Sequence, residues 1–442
     1  MQISACAAAR NYPLHNIAPQ GVDQNKVDMA LRNIRADIPL NESQLANALR
    51  NPNLSQEEKD LIVETLAKGD AADLLRFYAN DASRHANDPD RTLGEDQRVI
   101  GEALQRAYEN GQISADDLLR ISDVNQAGNG AQRLLDTLVA GRGNVVNGSV
   151  EALSDALWAR NGNNGLDRAG ATLGYLSGPE LTARNLNTAD KRRDAFEAMV
   201  DFNDNHTVQT AGATGEIWRQ SALSATGRLF VDNSAELTDH YTGANGTTAQ
   251  TETLAKFLSQ TVLNPQAAGV VLDRQRDLVP AIRDALDANA GRLLDAAGRA
   301  PAGSLEQERY MQQFGRLTAS VSGAAALALT RYDKQIMESE ASRKQFATTV
   351  ATLVGATKLG KAPGARQAIE ALANRYYDAI TSNPERPDAA LAGALYDNYA
   401  EQVNTLSSSL NQTGLSPAFE AAFAAEVTNL QQNLGVNLGG HR

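Results

Sequence analysis

The chain of 442 residues has one cysteine, Cys6, which excludes a disulfide within the chain and a zinc site built on thiolates. Aromatic residues make up only 5% of it. Cores must therefore be assembled mainly from Leu, Ala, Val and Ile, which suits close-packed helices better than a β-sandwich or barrel. No window reaches about 18 uninterrupted apolar residues, the length a membrane-spanning helix needs. The nearest approach, LTASVSGAAALALT at 317–330, is short and carries hydroxyls, and reads as a buried helix. Basic residues are outnumbered, and the formal charge of −12 argues against general binding to nucleic acid or anionic lipid. The opening residues MQISACAAARNYPLHN lack a basic segment followed by an apolar stretch, so no cleavable secretory signal is expected.

Motifs with a fixed chemistry are missing as well. There is no GxxxxGK[ST], no GxSxG, no HExxH, no kinase signature and no GxGxxG after a strand. No cofactor is implied. Clean alternation of β-branched or aromatic residues with polar ones is also missing. The best strand candidate, GRLFVDN (227–233), fits more comfortably inside a helix that continues through Glu236 and Leu237.

What the sequence does contain is helix punctuation. LSQEEKDLIVETLAKGD (54–70) offers Ser55 as N-cap with Glu58 three residues on, then Leu61, Ile62 and Leu66 at helical spacing. ISADDLLRIS repeats the device with Ser114 and Asp117. Asn264–Pro265 and Ser416–Pro417 place proline at a first helical position, and further starts fall at Asn41, Ser177, Thr188, Ser304 and Asp388. The reading is an all-α, irregular multi-helix bundle or array of a dozen or more helices, with little or no sheet. Residues 1–25 read as a flexible arm. The Gly/Thr-rich stretch YTGANGTTAQTE (241–252) is expected to separate a helical subdomain at 26–243 from another at 250–435, and 436–442 to fray.

Three stretches invite a chemical reading. SDVNQAGNGAQRLLDTL (122–138) has the flavour of a calcium loop. In its best register, starting at Asn125, Asn129 falls at position 5, Gly130 at 6 and Asp136 at 12, but Ala127 and Arg133 occupy ligand positions. A helix entrance capped by Asn125 or Asn129 explains it better, and no metal is expected. DFNDNHTVQTAG (201–212) collects Asp201, Asn203, Asp204, Asn205 and His206, yet ends on Gly212 where the closing carboxylate should stand. AELTDHYTG (235–243) puts Glu236 and His240 four residues apart on one helical face, with Asp239 beside them. Carboxylate and imidazole at that spacing can share a proton or a metal, whereas His240 at a helix C-terminus is the simpler account. Glu236, Asp239, His240, Asp201 and His206 are thus the candidate acids and bases. Segments 315–335 and 344–362 are rich in small residues, the second edged by Lys344, Lys358 and Lys361; they are read as packed core, with a bilayer-entering hairpin over 315–362 as the alternative.

Several stretches carry a resemblance: LGEDQRVIGEALQRAYENGQISADDLLRISD, EALSDALWARNGN, GRLFVDNSAELTDHYTG and LAKFLSQTVLNPQ. They resemble a helical module of large secreted toxins and effectors of Gram-negative bacteria, over about residues 60–380. The resemblance carries no catalytic motif. It implies a protein made in the bacterial cytoplasm and secreted or translocated by a dedicated system, with the N-terminal arm meeting secretion machinery or a chaperone. The expected function is a virulence effector or toxin-associated module acting through protein–protein contacts in a host or competitor cell. The alternative is an effector enzyme, hydrolase-like, with a nonstandard helical active site.

Overall fold

The protein is described from a computed structural model, over residues 21–36, 44–69, 93–123, 130–141, 148–160, 165–205, 213–244, 249–265, 278–359, 365–412 and 414–439. Among these residues there are twenty helices and no strand. The all-α reading holds. Backbone contacts divide the chain into two units, Met1–Arg160 and Asn161–Arg442.

The first unit contains α1 (Gln24–Ala36), α2 (Gln44–Arg50), α3 (Gln56–Lys68), α4 (Leu93–Glu109), α5 (Ala115–Ser122), α6 (Gly130–Ala140) and α7 (Gly148–Ala159). Both expected capping boxes form. Ser55 Oγ accepts from Glu58 N at 3.2 Å while Ser55 N donates to Glu58 Oε2 at 2.8 Å, and Ser114 and Asp117 do the same for α5. The Glu58 carboxylate also accepts from Asp23 N at 2.9 Å, so one side chain starts α3 and fastens α1 beside it. These N–H donors, Asp23 first, hold its carboxyl below the usual range. Helix α4 packs against α2, α3, α6 and α7. At its crossing with α6 the backbones touch: a Cβ on Gly101 would meet the Thr137 carbonyl and lie 2.9 Å from Gly141 N.

The second unit runs through α8 (Gly165–Tyr175), α9 (Pro179–Asn185), α10 (Ala189–Asn205), α11 (Ala213–Asp232), α12 (Ser234–Tyr241) and α13 (Thr251–Gln260). It continues with α14 (Leu278–Arg299), α15 (Leu305–Arg331), α16 (Asp333–Met337), α17 (Glu340–Leu359), α18 (Ala365–Ser382), α19 (Pro387–Leu410) and α20 (Leu415–Leu434). Its axis is α15, the longest helix, against which α13, α14, α19 and α20 all pack. From Leu317 to Leu329 every residue of α15 is buried. Its hydroxyls survive there because they bond backwards along the helix: Thr318 to Gly315 O (2.9 Å), Ser320 to Arg316 O (2.9 Å) and Ser322 to Thr318 O (3.0 Å). Small residues let neighbours approach closely, and a Cβ on Gly315 would stand 2.8 Å from Phe419 O. Segment 315–331 is thus central core. Among the described residues no helix is long and apolar enough to cross a membrane.

The scarce aromatics are concentrated. Phe196, Phe230, Tyr241 and Phe257 form one knot, with ring centroids 4.8–6.0 Å apart. Phe314, Tyr396, Tyr399, Phe419 and Phe423 form a second. Tyrosines also lie at the seam of α18 and α19, where Asn398 Nδ2 donates to Tyr376 Oη at 3.2 Å.

Several boundaries differ from expectation. The helix expected to run through GRLFVDN into Glu236 breaks at Asn233, between α11 and α12. Stretch 241–252 lies inside the second unit, where Gln250 N donates to Tyr241 O (3.1 Å) and Arg316 Nη1 to Thr242 O (3.0 Å). The division falls instead between Arg160 and Asn161. Residues 436–439 do not fray: Val436 and Leu438 are buried and Asn437 N donates to Asp388 Oδ2 at 3.1 Å. The proposed arm lies outside the described residues as far as residue 20, and α1 begins at Gln24.

Candidate functional site

Helix α10 buries Ala195, Phe196, Met199, Val200 and Phe202 and carries Arg192, Arg193, Glu197, Asp201 and Asp204 along its flank. Helix α12 buries Leu237 and Tyr241. The four-residue spacing of Glu236 and His240 turns both side chains toward α10, one turn apart. Arg192 makes a forked pair with Glu236, its Nε 3.2 Å from Oε1 and its Nη2 on Oε2. Arg193 Nη1 stands 2.9 Å from His240 Nδ1 and also pairs with Asp190. His240 Nε2 lies 3.9 Å from Glu197 Oε1, and Tyr241 Oη donates to the same oxygen at 3.4 Å.

Burial sets the electrostatics of this seam. It pushes the Glu197 carboxyl upward, helped by the negative charge of Asp194. The same burial, followed by the Arg193 guanidinium, holds the His240 imidazole below its ordinary value. The Tyr241 hydroxyl is driven well above the usual phenol range by burial and by Glu197. Beside a guanidinium that can only donate, the His240 ring is placed to accept through Nδ1, which favours its neutral form over a cation capping the helix C-terminus.

The other candidates go elsewhere. Asp239 pairs with Arg292 of α14. Asp201 is exposed and lies 3.5 Å from Lys256 Nζ of α13, which is equally close to Asp204 Oδ2. Asp204 also pairs with Arg331 and accepts from Gln260 Nε2 at 3.2 Å. His206, Asn125 and Asn129 lie outside the described residues, and Asp136 is half-buried on α6. Among the described residues no group of three or more His, Cys, Asp or Glu side chains is placed to hold a metal ion. The structure thus brings Glu236 and His240 onto one seam and puts Asp239 and Asp201 on separate bridges.

Arg192, Arg193 and Glu197 belong to no local motif of the kind that marks Glu236 and His240. Their signal is the string KRRDAFEAMVDFND, where charges recur every third or fourth residue along one edge of an otherwise apolar helix. Away from the seam, a shallow open depression of about 550 Å³ runs along α19, lined by Asp397, Ala400, Glu401, Asn404, Thr405 and Ser408. All its walls come from one helix. In comparisons with known proteins, no family model, no curated protein and no solved structure matches this chain.

Proposed function

We propose that this chain is a helical module of an exported bacterial effector or toxin, delivered by a dedicated secretion system and acting through contacts with protein partners. One observation carries the preference for binding over catalysis. Glu236, Asp239, Asp201 and His240 are each engaged with a cation from another helix: Arg192, Arg292, Lys256 and Arg193. Groups used this way fix helix register and must surrender that role before they reach a substrate. The sequence resemblance over about residues 60–380 supplies the secreted setting.

The test is export followed by function. The protein should leave the producing cell under conditions that release other substrates of the same machinery, and its effect on target cells should survive Glu197→Gln and His240→Gln. Retention in the cytosol under those conditions would refute the reading. Loss of the cellular effect in both folded variants would favour the enzymatic alternative. That alternative draws support from Glu197 and His240, a carboxyl shifted up and an imidazole shifted down, 3.9 Å apart.

A further inference from the structure

The contact between Arg193 and His240 permits only one protonation state. A guanidinium is always charged and has only N–H to offer, so His240 Nδ1, 2.9 Å away, must accept. The neutral ring then carries its proton on Nε2, beside Glu197 Oε1 at 3.9 Å and next to the Gln250 carboxamide. A second proton on the ring would place N–H against N–H and cation against cation. The ring would have to leave Arg193, and its nearest carboxylate is Glu197.

We propose that His240 is an acid-responsive latch: protonation exchanges its partner on α10 from Arg193 to Glu197, one turn further along, and that shift of the ring loosens the backbone bonds that close the C-terminal end of α12 onto Thr242, Gly243 and Gln250. This does not depend on how the protein acts in a target cell. Charged and titratable groups meet the latch from several elements, and the neighbouring α11 and α13 carry Arg228, Asp232, Glu252 and Lys256. Helix α10 contributes Asp190, Arg192, Arg193, Asp194 and Glu197, and α12 itself Glu236, Asp239 and Tyr241. Helix α14 contributes Arg292 through Asp239, and α15 contributes Arg316 at Thr242 O. The Arg192–Glu236 and Arg292–Asp239 pairs do not involve the ring, so α12 remains attached at those points and loosens at its end.

The sign follows from the imidazole being shifted down. Neutral His240 is favoured by the fold, so this contribution is complete above the ordinary histidine value near 6.5 and declines as pH falls below it. Glu197, shifted up, acts in the opposite direction over the carboxylate range, because the folded state takes up its proton more readily. A local readout separates the two where global stability would blend them.

Hydrogen exchange on the full chain supplies that readout. The amides of Thr242, Gly243 and Gln250 are bonded to Thr238 O, His240 O and Tyr241 O. Between about pH 7.5 and about pH 5, after correction for intrinsic rates, their exchange should rise several-fold in the wild type. In His240→Gln, whose side-chain oxygen still accepts from Arg193 and does not protonate, it should stay flat. Glu197→Gln removes the alternative partner and should enlarge the rise; a smaller rise there would assign the acid response to Glu197 and overturn the proposal. An equal rise in His240→Gln would also overturn it. Nitrogen NMR of the wild-type ring gives a check independent of any variant: neutral His240 must carry its proton on Nε2, and a proton found on Nδ1 at neutral pH refutes the latch.

Discussion

Replacing Gly101 by alanine tests the closest helix crossing in the first unit. Two effects compete. Alanine in place of a mid-helix glycine favours the helix by about 1 kcal/mol. Against that, the new methyl would overlap the Thr137 carbonyl oxygen and stand 2.9 and 3.0 Å from Gly141 N and Cα, all of them backbone atoms that no rotamer change can move. Helices α4 and α6 would have to part by at least about 0.5 Å at Gly141, and further at Thr137, loosening the contacts around Leu104, Leu134 and Leu138. Overpacking of this kind costs about 1–3 kcal/mol, and here it meets rigid backbone, so the upper end applies. We expect Gly101→Ala to destabilise by about 2 kcal/mol net, seen as a lower urea midpoint of the transition that reports the first unit. Gly291 on α14 is the control: among the described residues nothing stands within 4 Å of its Cβ position, so Gly291→Ala should stabilise the second unit by about 0.5–1 kcal/mol. Equal effects of the two substitutions, or a raised midpoint for Gly101→Ala, would refute the reasoning.

Further predictions concern polar groups. Buried Glu426 accepts from Thr251 Oγ1 at 2.7 Å and faces Arg316 at 3.7 Å, so Glu426→Ala should cost about 3 kcal/mol in chemical denaturation and Glu426→Gln distinctly less. The Asp287 carboxyl, on α14, is pushed up to about 6 by burial and by Asp284, and its Oδ1 is buried without a partner among the described residues. The fold favours its protonated form, so that contribution is complete below the ordinary aspartate value and is lost as pH rises through about 6. Asp287→Asn should therefore stabilise at pH 7 by about 1 kcal/mol, discounted for its partial exposure, and the advantage should vanish by about pH 4 in a series of melts. Ser55→Ala removes one half of a capping box and should lower the stability of the first unit by about 1 kcal/mol, read from its urea midpoint.

Helix punctuation was legible because a cap is a local device: Ser55 and Glu58, or Ser114 and Asp117, find each other three residues apart whatever surrounds them. The hydroxylated apolar run at 317–330 is legible as buried helix for the same reason, since its serines and threonines need only their own backbone. The division into units was harder. Both NGNNG (161–165) and YTGANGTTAQ (241–250) are rich in turn residues, and composition does not say whether the helices on either side pack together again. Across 241–250 they do, with Arg316 holding Thr242 O from 74 positions away. The seam shows the same limit. Spacing placed Glu236 and His240 on one face, but their partners lie 44 and 47 positions upstream. Local pattern identifies the face and leaves the partner open.

The packing around α15 sets an order of assembly. Its small-residue face is closed by α20, where Gly315 meets the Phe419 carbonyl and Gly323 approaches the Leu430 side chain. Thr251 and Glu426, which join α13 to α20, are separated by 175 positions. A growing chain that has emerged as far as α19 still lacks the element that covers its central helix. The second unit is therefore completed only once α20 has been made, and the long loop between α13 and α20 is closed against its entropy. Until α20 arrives, the small-residue face of α15 has no cover on that side.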